Sequence, residues 1–300
     1  MVARVDMAVD SAADFAVLRQ RFRELPTRPK VLRTREAGLD ISSPGRQSLS
    51  LLIGEETAGV LYSTDVYLSP GFGAPPHHQP TEEELWYLVE GELDVRVGTQ
   101  SATIRAGAFA FIPRDTTHTF RNNGMGLARL LTWNTPAGHE RAFEAMRRKA
   151  DQGITAFPEL REVFKAHEIV LHADPDQKAC NDASGGKLLL ERTQGRDASK
   201  PGVNLRVLLD AKESGGLFEV SDILLERERV LPVRSGHADT CLYVVGGEAD
   251  LSIDNDRQRI GAGAFAFIPR GHAMSIAGAG ESPAHFVLWS TPAAAGLVTS

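Results

Sequence analysis

Residues 106–114 read Ala-Gly-Ala-Phe-Ala-Phe-Ile-Pro-Arg, and the same nine residues return at 262–270, an offset of 156. The offset holds without gaps through Gly59/Gly215, Leu61/Leu217, Pro76/Pro232, Tyr87/Tyr243, Gly91/Gly247, Trp133/Trp289 and Pro136/Pro292. One module therefore occurs twice, at 59–136 and 215–292. Two copies with short strands inside each are too few for a solenoid, which needs three or more stacked units. The chain reads as two similar domains.

Within the first copy, short alternating or apolar runs occur at 51–53, 60–68, 85–89, 93–97, 109–112 and 127–133. Turn residues separate them, among them Glu90-Gly91, Ala106-Gly107 and the stretch 122–126. Many short strands at regular spacing predict an all-β sandwich or jelly-roll barrel, an architecture that limits exposed strand edges. Helices are predicted outside the modules. Ser11 caps one that runs to Leu25 and stops at Pro26, with Phe15, Leu18, Phe22 and Leu25 at helical spacing. A second over 138–149 puts Ala142, Phe143 and Met146 on one face, and a shorter third covers 158–166. The stretch 174–202, with its Pro, Gly and Ser, reads as a linker. The expected division is an N-terminal helical extension (1–45), a first barrel (46–136), a helical segment and linker (137–202) and a second barrel (203–300).

At 300 residues the chain exceeds the usual single domain, which agrees with the duplication. Lys and Arg number 33 against 39 Asp and Glu, a net −6 with no run of five like charges, so a basic nucleic-acid-binding face is disfavoured. Hydrophobic residues make up 42% of the chain, enough for a folded core. No apolar run approaches the roughly 18 residues of a membrane helix. Residues 1–11 carry acids where a signal peptide would carry its apolar stretch, and Cys180 and Cys241 form no disulfide or metal-binding spacing. A cytoplasmic protein without nucleic-acid or membrane partners is expected.

The first copy also carries chemistry. Gly71 is followed after five residues by His77-His78-Gln79, after four more by Glu84 and after six more by Gly91. Fifteen residues later come Gly107, then Pro113, His118 and Asn122. This pattern resembles the two signature motifs of the cupin superfamily, and its doubling resembles a bicupin, with two jelly-roll barrels in one chain. Two departures stand out: His77-x-Gln79 replaces the family's His-x-His, and Asp115 replaces a glycine. The resemblance implies one divalent transition metal inside the first barrel at His77, Gln79, Glu84 and His118, iron first, with Ni, Zn, Mn or Cu as alternatives. Residues i and i+2 of a strand share a face, so His77 and Gln79 point together and His78 points away. Two imidazoles and a carboxylate resemble the facial set that suits Fe(II) and leaves positions open. A glutamine carbonyl would be a weaker fourth ligand.

The second copy is an internal control. At the same offset His77, Gln79, Glu84 and His118 become Val233, Ser235, Thr240 and Met274. The ligand set vanishes together while the fold-making glycines, prolines and aromatics persist, so no metal is expected in the second barrel at these positions. Tyr87, Phe109, Phe111 and Trp133 recur in both copies and read as core. Trp86, Tyr67 and Phe120 occur only in the first copy, and are candidates to line a pocket for a flat organic molecule. His237 and His272 lie off the ligand positions, and Glu82 and Glu83 read as a solvated acidic turn.

The stretches Ile-Gly-Glu-Glu-Thr-Ala-Gly (53–59), Pro-Pro-His (75–77) and Trp-Asn-Thr-Pro-Ala-Gly (133–138) resemble cupins similar to flavonol (quercetin) dioxygenases. That resemblance implies an enzyme, an oxygenase of a small phenolic or enolic substrate, with Glu84 as catalytic base. Two alternatives stay open. One is a non-redox metal-dependent isomerase, cyclase or lyase, which tolerates an amide ligand. The other is a small-molecule binding protein without turnover. Monomer and homodimer are both compatible, because two barrels in one chain can pair as single-barrel subunits would.

Overall fold

The computed structural model describes residues 28–154, 157–172, 186–233 and 236–294, with side chains omitted for 157–159. The helix expected from Ser11 to Leu25 lies outside the described residues. The remainder is two β-barrels, each a seven-stranded sheet facing a smaller one of five strands in the first barrel and four in the second.

Strand Glu83–Glu90 shows how the sequence builds this arrangement. Its side chains alternate between faces. Leu85, Tyr87 and Val89 pack in a core shared by both barrels, whereas Trp86 and Leu88 face the interior of the first barrel. Both faces are buried, so the strand reads as a continuous apolar run rather than a half-polar one. Phe109–Ile112 and Ala128–Thr135 repeat the division: Phe109, Phe111, Leu131 and Trp133 go to the shared core, and Ala110, Ile112 and Leu130 go inside. The recurrent aromatics are thus core residues, but of the seam between barrels. Trp133 and Trp289 meet there, stacked with ring centroids 4.4 Å apart and planes 15° from parallel.

Gly91 and Gly247 hold the corresponding turns at φ +79° and +70°, and a Cβ on Gly91 would lie 2.6 Å from the Leu127 carbonyl oxygen. Asp115 sits at φ +59° where the second copy has Gly271 at φ +88°. The departure from the motif therefore keeps the left-handed turn, a conformation Asp tolerates better than most residues.

Among the strands that lie where none was predicted, two cross between the barrels. Val31–Arg33, in the N-terminal extension, pairs with Phe265–Phe267 of the second barrel. Lys187–Leu189, in the supposed linker, pairs with Phe109–Phe111 of the first. Each barrel's large sheet is thus completed by three residues that precede the other barrel. Elements this short carry no readable period, and their partners are remote in sequence. The predicted helices over 138–149 and 158–166 appear as α1 (Glu140–Asp151) and α2 (Phe157–Ala166), against the first barrel alone.

Polar groups cross the seam in a matched pattern. Tyr87 donates to Asp222 (2.5 Å) and Tyr243 to Asp65 (2.6 Å), each aspartate lying in the opposite barrel. Arg129 forks onto Asp65 at 3.0 and 2.7 Å, and His285 approaches Asp222 at 3.1 Å. Tyr67, expected at a pocket, instead lies under Arg35 (4.7 Å) and Arg129 (5.2 Å). Removing one hydroxyl, Tyr87→Phe, should cost about 2 kcal/mol, the scale of a hydrogen bond to a charged acceptor, measured as a fall in the urea midpoint at constant slope.

Candidate metal centre

The small sheet of the first barrel brings His77, on Gly73–His78, directly opposite His118, on His118–Arg121. Glu84 arrives from the facing sheet on Glu83–Glu90. The ligand-type atoms of His77, Glu84 and His118 lie within 4.8 Å of one another, and all three residues are buried. Their imidazole centroids are 4.2 Å apart.

Backbone carbonyls set the tautomers. His77 Nδ1 donates to the Pro75 carbonyl at 2.8 Å and His118 Nδ1 to the Thr116 carbonyl at 2.9 Å. Each ring therefore turns its Nε2 lone pair inward, the orientation that an outer partner gives to a metal-binding histidine. His118 Nε2 is buried, has no hydrogen-bond partner, and sits 3.2 Å from Glu84 Oε2. A nitrogen lone pair and a carboxylate oxygen facing each other call for a shared cation. Burial, with His118 alongside, lowers the His77 pKa to about 3, so its ring is neutral and ready to donate. Nitrogen, nitrogen and carboxylate oxygen suit a divalent transition metal.

Gln79 reaches the same place. Its Nε2 donates to Glu84 Oε2 at 3.0 Å. An amide beside a carboxylate turns its NH2 group toward it, so in this arrangement Gln79 positions the carboxylate. Trp86 Nε1 holds the other oxygen, Oε1, at 2.8 Å. Burial alone would raise the Glu84 pKa, but His118 beside it, with His139 and Trp86, brings it down to about 2. Both oxygens are thus held in place, and the geometry suits Glu84 to holding a cation. His78 points to the other face, with its Nδ1 2.9 Å from His172 Nε2. His237 is exposed and His272 pairs with Asp254, both in the second barrel.

Glu82 and Glu83 are buried rather than solvated. Glu83 accepts from the backbone and side chain of Arg114, both at 2.6 Å. Glu82 lies 3.4 Å from His139 Nδ1. His139 is a polar residue that the sequence reading missed. Burial would lower its pKa, yet Glu82 and then Glu84 outweigh that and raise it. One signal was available: three residues past Pro136/Pro292, the offset pairs His139 with Ala295.

A cavity of about 310 Å³ opens onto His77, Glu84 and His139. Phe72, Trp86 and Phe120 wall it from the barrel, and Phe143 and Met146 of α1 with Phe164 of α2 close it outside. Trp86 and Phe120 meet edge to face at 5.5 Å, as pocket-lining residues of the first copy were expected to do. In the second barrel the equivalent space is filled: Val233 pairs with Met274 inside a cluster with Ile223, Leu242 and Ile276.

Residues 64–134 match the Cupin domain. That span holds every donor named above. Over 69 residues the chain is 36% identical to Polyketide synthase CurC of Streptomyces cyaneus, a match covering 23% of this chain and 45% of that protein. Across both barrels the cupin fold is shared with oxalate decarboxylase of Lactobacillus farciminis, at TM-score 0.63 and 14% identity over 89% of this chain and 87% of that one. It is shared equally with Bacillus subtilis oxalate decarboxylase, a protein with Mn(II) centres, at TM-score 0.61 and 14% identity over 96% and 85%. Likeness at this identity is one of fold. Among the described residues, no helix is long and apolar enough to cross a membrane.

Proposed function

We propose that the first barrel is a metal-dependent oxygenase of a small, flat phenol or enol of polyketide type. The observation that carries this is the cavity, whose aromatic and aliphatic walls end on His77 and Glu84, two of the three residues whose ligand-type atoms converge with those of His118 behind them. About 300 Å³ lies at the lower end of ordinary ligand pockets and suits a molecule of two or three fused rings. A divalent metal at His77, Glu84 and His118 would acidify a hydroxyl brought to it and, as iron, supply the chemistry that dioxygen needs. Trp86, Phe72 and Phe120 hold the ring system flat and exclude water. Gln79 and Trp86 fix the carboxylate. The likeness of the matched segment to Polyketide synthase CurC supports a polyketide-like substrate.

The pair His139 and Glu82 favours a second reading, non-redox isomerisation or cyclisation, because His139 Nδ1 beside Glu82 Oε2 forms an acid–base couple at the cavity wall. Dioxygen uptake by the iron-loaded protein, followed with a panel of phenols and enols, separates the two. Uptake stoichiometric with product is the expected result. Product formed without dioxygen by the zinc-loaded protein selects the second reading, and binding without any product leaves a ligand carrier.

A further inference from the structure

The cavity also holds a cation that neither reading uses. Arg46, the first residue of strand Arg46–Leu52, lines it, with its guanidinium carbon 3.9 Å from the Phe143 ring centroid. Its Nε is buried without a hydrogen-bond partner, and Nη2 makes one long contact, 3.5 Å, to the Ile41 carbonyl. Among the described residues no carboxylate lies within the 4.0 Å of an ion pair with it. Most arginines of the seam are paired: Arg129 with Asp65, Arg192 with Asp222, Arg28 with Asp239. A guanidinium that is almost always charged and faces an apolar cavity without a counter-ion is costly to keep. The second barrel dispenses with it. Arg46 pairs with Leu68 and, in the matching register, Val203 pairs with Leu225. The cation is therefore absent from the barrel that lacks the imidazoles and the carboxylate.

We infer that Arg46 is the anion receptor of the cavity. The substrate, on the reading given above, is an acid: one ionised group, a carboxylate in the simplest case, pairs with Arg46, and the apolar ring system lies between it and the face formed by His77, Glu84 and His118. The planar fork of a guanidinium matches a carboxylate in two parallel hydrogen bonds, and a nearly dry cavity strengthens them. The stacked Phe143 ring holds the fork in place.

Matched pairs test this: hydroxybenzoic, hydroxynaphthoic and hydroxyanthraquinone carboxylic acids, each with its methyl ester. Binding is measured by calorimetry on the purified chain, with and without chelator, so that capture of a carboxylate by metal is separated from capture by Arg46. At least one acid should bind about 10- to 100-fold tighter than its ester with chelator present, the range of a charge-assisted hydrogen bond. Arg46→Met keeps the apolar stem on Phe143 and should bring the acid down to the affinity of the ester while leaving the ester unchanged. Arg46→Lys should retain part of the preference. Were Arg46 only a clamp for α1, its loss would lower the unfolding temperature and weaken acid and ester alike. Esters that bind as tightly as acids, or a preference that survives Arg46→Met, would overturn the inference while upholding the cavity as a ligand site. No binding of any pair to either protein would overturn both.

Discussion

His118→Ala lowers metal affinity by more than about a hundredfold, beyond the roughly 10- to 100-fold that follows loss of an outer partner. The variant should retain little metal after dialysis, and turnover on the proposed reading should fall with it. The reason lies in the count of donors. Three side chains converge, and removing one leaves a single imidazole and a carboxylate, which do not fix a facial geometry. Folding is monitored in parallel, because His118 is fully buried. Gln79→Ala provides the graded comparison: Gln79 hydrogen-bonds Glu84 and should cost only the outer-partner amount. His78→Ala, on the opposite face of the strand, should leave metal content near that of the wild type. Retention of metal by His118→Ala, or its loss from His78→Ala alone, would show that the donors sit elsewhere.

Trp133→Ala should destabilise the whole protein by about 3–5 kcal/mol, the usual cost of removing a buried tryptophan. The indole is fully buried and stacked on Trp289 across the seam, so the cavity left behind has walls from both barrels. Both barrels should then unfold together at lower denaturant, seen as one shifted transition rather than the early loss of one barrel. Trp289→Ala should behave alike. The double variant should lose less than the sum of the two, because the singles break one shared contact. Two separate transitions in either single variant would count against a common core.

Much of this was legible in the sequence because it rests on repetition. The offset of 156 exposed two barrels, and its exceptions picked out His77, Gln79, Glu84 and His118 as a set that no packing demand explains. What stayed hidden was of two kinds. Partnership in space was one: Glu82 and Glu83 read as a wet turn because nothing local shows His139 or Arg114 coming to cover them. The direction of a hydrogen bond was the other, since a strand's period places Gln79 on the inner face without saying whether its oxygen or its nitrogen leads. Arg46 escaped for a related reason: a charge at the start of a strand looks solvated until α1 lies across it.

The exchanged strands give the second barrel a structural task of its own. Val31–Arg33 and Lys187–Leu189 each finish the sheet of the other half, and the second copy brings Phe218, Tyr243, Phe265 and Trp289 to the shared core. Cutting the chain between 172 and 186 would strip each piece of an edge and bare a greasy wall. The molecule is in effect a strand-swapped dimer made continuous, in which the second half finishes and covers its neighbour without using Val233, Thr240 or Met274, the residues that stand where the first half has its imidazoles and carboxylate.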